Sequence, residues 1–143
     1  MSADGPREFV DANVLVYAFD ASAGNKKARA EALLARLWEC GTGCLSVQVL
    51  QEFFVIVTRK VPRPLSPDTA GERVREFSAW LVFCPTSTDV LGAIALQQEA
   101  QLSFRDAMIV HCASEAGCEV LWSEDLGDGQ TIRGVQIRNP FRD

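Results

Sequence analysis

Four acidic residues stand where acids have chemical use. Asp11 interrupts an apolar run, with Phe9 and Val10 before it and Val14, Leu15, Val16 and Tyr17 after it. A lone buried carboxylate costs several kcal/mol unless it is paired, hydrogen-bonded or bound to a metal. Glu52, Asp106 and Asp125 lie far from Asp11 in sequence and share one property with it: each falls beside a predicted strand end or helix start. Carboxylates gathered at close range repel, and some would have to take up protons. A hard divalent cation removes that conflict, and carboxylates with water suit Mg²⁺ or Mn²⁺.

Each acid also has an ordinary use. Asp11 can cap the helix after it, and Glu52 can sit solvated on a polar flank beside Gln48, Val55 and Arg59. Asp106 fits a capping box opened by Ser103, and Asp125 fits a turn. Four such coincidences on one edge are less economical than one acidic site. Around them, Asn13 can hold the loop after Asp11, Ser123 can orient a ligand or shape a turn, and Glu124 or Asp128 can share the role of Asp125. Arg59, Lys60 and Arg63 form the densest basic cluster, and Arg105 precedes Asp106. These four are candidates for phosphate contacts or plain solvated charges. His111, the sole histidine, lies five residues past Asp106 and so points away from that helix face.

The elements that must position these side chains follow from periodicity. Residues 7–11 read as a strand stopping at Asp11, with a short helix at 13–19. Residues 26–39 are strong helix formers with Gly41 as a stop. A strand near 43–45 leads through Ser46, a candidate N-cap, into a helix at 47–60. A three-proline loop follows; Ser66 and Pro67 then open a helix to about Trp80. "WLVFCP" is a third strand, 89–101 a helix, and 103–117 another helix. "CEVLWS" is a fourth strand, "EDLGDGQ" a loop and "VQIRNP" a short fifth strand. The alternation predicts an α/β domain with a mostly parallel four- to five-stranded sheet and helices on both faces. Sites in such sheets lie outside the carboxyl ends of the strands, which is where the four acids fall.

The bulk numbers fit one domain, 1–143, with residues 1–6 flexible. The 143-residue chain is 48% apolar, yet no stretch approaches the roughly 20 apolar residues of a membrane helix. The start, "MSADGPRE", lacks a signal-peptide plan, so the expected compartment is the cytoplasm. Five cysteines without a C-x-x-C pair read as reduced thiols. A net charge of −5 argues against electrostatic coating of nucleic acid but not against a nuclease whose acids hold a cation.

The segments "FVDANVLVYAFD", "VLQEFF", "LSFRDAMIVHCA" and "LWSEDLGDGQ" together resemble the PIN-domain ribonucleases, most closely the VapC-type toxins of bacterial toxin–antitoxin pairs. The resemblance covers about residues 8–141 and implies the three-layer PIN-like fold. It implies that Asp11, Glu52, Asp106 and Asp125 are the catalytic acids and metal ligands, with Ser123 at the Thr/Ser position of a Thr/Ser-x-Asp motif. It further implies Mg²⁺- or Mn²⁺-dependent endonucleolytic RNA cleavage leaving a 5′-phosphate and a 3′-hydroxyl, a homodimer, and a small cognate antitoxin. Arg105 departs from the aromatic residue that close relatives often carry there. On this reading Asp11→Ala abolishes cleavage in a chain that stays folded. The helices bearing Phe53, Phe54 and residues 66–80 are candidates for an antitoxin groove.

Rival chemistries lack their residues. A phosphatase or phospho-receiver aspartate wants a lysine at a later strand end, and the only lysines are Lys26, Lys27 and Lys60. No G-x-G-x-x-G follows the first strand, which disfavours a dinucleotide site. The remaining alternative is a catalytically silent PIN-like binding or regulatory module.

Overall fold

The computed structural model describes residues 5–142. Of the amino-terminal segment expected to be flexible, residues 1–4 lie outside that range, while Gly5 and Pro6 are exposed. The chain order is β1 (Arg7–Val10), α1 (Ala12–Ala18), α2 (Asn25–Cys40), β2 (Gly43–Ser46), α3 (Val47–Arg59), α4 (Pro67–Phe77), β3 (Leu81–Phe83), α5 (Ser87–Ala100), α6 (Phe104–Glu115), β4 (Cys118–Trp122), β5 (Thr131–Ile132) and β6 (Val135–Arg138). The sheet runs β3-β2-β1-β4-β6-β5, parallel except for β5 against β6.

The topology itself makes the three layers. From β1 the chain steps outward through β2 to β3, then jumps back across β1 to β4. Right-handed crossovers in opposite directions put α1–α4 on one face and α5–α6 on the other. The observed packing agrees: α1 lies against α2 and α3, α3 against α4, and α5 against α6, which crosses β2, β4 and β6. Between the layers sit Phe9, Val10, Leu45, Leu121 and Ile137, all fully buried.

Caps set the helix starts as the sequence indicates. Ser46, Ser66 and Ser103 accept backbone N–H groups from Val49, Thr69 and Asp106, and Gly41 closes α2 at a left-handed φ of 70°. Two differences from expectation have local causes. The fourth helix ends at Phe77 rather than near Trp80, because Trp80 turns inward against Trp38 and Phe77. Its ring fills the space a Cβ on Gly43 would need. The sheet has six strands, because β5 and β6 form a hairpin around Arg133 and Gly134, both at positive φ.

Candidate functional site

Asp11 directly follows β1 and caps α1, with extended backbone angles. Its own N–H donates to the Trp122 carbonyl at 2.9 Å, which fastens the end of β1 to the end of β4. Its carboxylate is fully buried and accepts four hydrogen bonds. Oδ1 takes the Ala12 N–H at 2.7 Å and Arg105 Nη2 at 2.6 Å. Oδ2 takes the Ser123 hydroxyl at 2.8 Å and Arg105 Nη1 at 3.1 Å. The capping role and the site role therefore coexist, and both oxygens meet the guanidinium.

Arg105 organises the other acids as well. Its Nε donates to Glu52 at 3.1 Å and its Nη1 to Asp106 at 3.2 Å. Glu52 comes from the second turn of α3 and Asp106 from the first turn of α6. Three carboxylates from three distant segments thus converge on one cation at the carboxyl edge of the sheet. Burial opposes the Arg105 charge, but the bonds and attraction from Asp11, and then Glu52, outweigh it and push its pKa above the ordinary arginine value. The expected solvated or RNA-facing Arg105 is instead about two-thirds buried among these acids. Nor does Asp106 show the reciprocal half of a capping box: its N–H is capped by Ser103, while its carboxylate turns to Arg105.

Asp125 joins from the side. Its Oδ2 accepts Asn13 Nδ2 at 3.0 Å, and its N–H donates to the Ser123 hydroxyl at 3.3 Å. Ser123 is fully buried and links Asp125 to Asp11, so its hydroxyl orients an acid. The neighbouring acids are committed elsewhere. Glu124 takes the Tyr17 hydroxyl at 2.7 Å and the Lys26 ammonium, whose chain also lies over the Tyr17 and Phe141 rings. Burial raises the Glu124 carboxyl, but Lys26 and Tyr17 prevail and hold its pKa below the usual range. Asp128 accepts the Asn139 N–H at 2.8 Å. Arg59, Lys60 and Arg63 are exposed. Lys60 shares with Glu52 a shallow pocket of about 260 Å³. His111 packs under α5 and bonds Asp89 at 2.9 Å, away from the acids.

The donor set is all oxygen and carries two negative charges in excess of Arg105, and Glu52 Oε1 is buried without a partner. That set suits a hard divalent cation. Among the described residues, however, no three acids are gathered at metal spacing; Asp11, Glu52 and Asp106 stand around the Arg105 guanidinium.

The layered parallel sheet with acids at its carboxyl edge places the chain among the α/β domains of PIN type. The PIN domain family model matches residues 9–127, and the chain belongs to that family. A comparison with curated proteins finds no match. Among solved structures, the fold is similar to a toxin–antitoxin complex from Klebsiella pneumoniae, with a TM-score of 0.69, 20% identity, and 99% of this chain and 100% of that one covered. It is also similar to VapC20 of Mycobacterium tuberculosis, described as a Sarcin-Ricin loop cleaving toxin (TM-score 0.63, 20% identity, 82% and 89% covered). DNA-bound VapBC from Salmonella typhimurium gives a TM-score of 0.67 at 18% identity, covering 95% of this chain and 99% of that one.

Proposed function

We propose that the chain is a divalent-metal-dependent endoribonuclease and the toxin of a type II toxin–antitoxin pair. The observation carrying this reading is the convergence of Asp11, Glu52 and Asp106 on a single cation in a PIN-family chain, with Asp125 tied in through Asn13 and Ser123. These four acids are the proposed catalytic residues and the proposed ligands of Mg²⁺ or Mn²⁺. Such an ion, when bound, lowers the pKa of water and offsets charge building on a scissile phosphate. The chain's own work is positional. Ser123 and the Ala12 N–H fix the rotamer of Asp11, Asn13 fixes Asp125, and the Ser103 cap fixes the turn that carries Asp106. Glu52, whose buried Oε1 makes no hydrogen bond, and Asp125 are proposed either as ligands or as the groups that orient the attacking water. In-line attack then leaves a 5′-phosphate and a 3′-hydroxyl.

Arg59, Lys60 and Arg63 are the proposed phosphate contacts beyond the acids. For the antitoxin, α3 and α4 frame an apolar groove of about 620 Å³ lined by Val47, Leu50, Phe54, Val55 and Val74. Phe54 serves that groove, whereas Phe53 is fully buried in the core. The homodimer is proposed through α5, where Val90, Leu91 and Ile94 stand exposed.

One observation favours the silent-module reading: Arg105 already neutralises part of the acid cluster. Incubating purified protein with structured RNA and Mn²⁺, with and without chelator, separates the two. Cleavage that the chelator stops and Asp11→Asn abolishes supports the nuclease. No metal-dependent cleavage at high protein concentration supports the silent module.

A further inference from the structure

We propose that Arg105 is a built-in competitor for the metal: its guanidinium occupies the cation position of the acid cluster, and metal binding is an exchange that must displace it. The inference rests on the metal-site reading above.

The geometry is that of an occupant. Arg105 reaches three carboxylates through its three nitrogens, with distances of 2.6–3.2 Å, and it spans both oxygens of the fully buried Asp11. A surface arginine that merely balanced charge would need one partner and would keep its head in water. Here the head is drawn across the gap between α6, α3 and the end of β1. Among the described residues the acids form no metal-spaced group with the guanidinium between them. Its stem starts at the second residue of α6, beside Asp106, and release breaks the four hydrogen bonds of the guanidinium. About 31% of the side chain is open to solvent, which gives the departing guanidinium a route out.

Occupancy has a measurable consequence. When only a fraction of molecules has an open site, the apparent dissociation constant rises by the inverse of that fraction. Removing the competitor returns the intrinsic affinity. Arg105→Gln is therefore expected to bind Mn²⁺ at least about tenfold more tightly than the wild-type chain. Arg105→Lys, with one ammonium in place of a three-nitrogen fork, should fall between them. A change in distant charge alone would also raise affinity, but salt screens it: at 1 M the Debye length is about 3 Å. Contact displacement persists there.

The test is calorimetric titration of the full chain with MnCl₂ at low and at 1 M salt, for wild type, Arg105→Lys and Arg105→Gln. Melting temperatures with and without Mn²⁺ accompany it. The expected result is the affinity order Gln, Lys, wild type at both salts, with metal-free Arg105→Gln melting lowest and gaining most from Mn²⁺. Equal or weaker Mn²⁺ binding by Arg105→Gln, or an advantage that vanishes at 1 M salt, overturns the proposal and leaves the metal-site reading standing. Failure of all three chains to bind Mn²⁺ overturns both. If Arg105→Gln does not fold without metal, the Arg105→Lys comparison decides.

Discussion

Replacing Asp11 by alanine removes the acceptor of four hydrogen bonds at a fully buried position. Breaking a buried ion pair from one side costs about 3–5 kcal/mol, and losing a helix N-cap costs about 1 kcal/mol. Two effects pull the total down. Arg105 can swing its partly open side chain to water, and Glu52 and Asp106 lose a like-charged neighbour. A net loss of about 3–4 kcal/mol is expected, which at roughly 3 °C per kcal/mol lowers the melting temperature by about 10 °C. Ordinary domains hold about 5–15 kcal/mol, so Asp11→Ala folds with a reduced margin, and an inactive alanine variant would confound catalysis with stability. Asp11→Asn keeps an oxygen for the Ala12 N–H and is the cleaner test of cleavage. The assay is urea unfolding followed by tryptophan fluorescence in chelator, for Asp11→Ala, Arg105→Ala and the double variant. The double variant should cost less than the two singles together by at least about 1 kcal/mol, because each single strands the other's partner. An Asp11→Ala chain within about 1 kcal/mol of wild type, or additivity within about 0.5 kcal/mol, refutes the network described for this carboxylate.

Neutralising Arg59, Lys60 and Arg63 to glutamine should weaken RNA binding, measured without metal. The salt dependence should flatten by roughly 2 in log–log slope if all three meet phosphates, and an unchanged slope removes them from the interface. On the central strand β1, burial raises the Glu8 carboxyl, but hydrogen bonds from Arg36 and Trp122 outweigh it and leave its pKa lowered. A lowered carboxylate contributes stability above its unfolded pKa of about 4.3 and loses it as pH falls through the folded value. Arg36→Gln should therefore melt below wild type at pH 7, with the gap closing toward pH 3; a gap constant with pH contradicts this role.

The positions of the acids were legible because they depend on topology alone. A parallel sheet sends to one edge every strand end, the start of a helix that follows a strand and the start of a helix that runs back into the next strand, as α6 does into β4, so Asp11, Glu52, Asp106 and Asp125 could be placed together without knowing any side-chain direction. What each acid touches was not legible. Glu124 and Asp125 are adjacent in sequence, yet one turns to Tyr17 and Lys26 and the other to Asn13. That division is decided by how α1 and α2 pack, and Lys26 lies 98 residues from its partner. The β5–β6 hairpin escaped notice for a related reason. Its turn is Arg133-Gly134, and an arginine at φ 48° offers none of the asparagine or aspartate signal that usually marks such a turn. Arg105 is the most instructive case. Read as one residue beside Asp106 it is a flanking charge, and nothing local says which way it points. Its direction is set by an imbalance that exists only after folding, when three carboxylates from β1's end, α3 and α6 are brought to one place. Any metal-free chain with this arrangement must either protonate an acid or supply a cation of its own. This sequence supplies the cation from within the same helix turn as one of the acids, so the residue that makes the metal-free site tolerable is also the one a metal has to move.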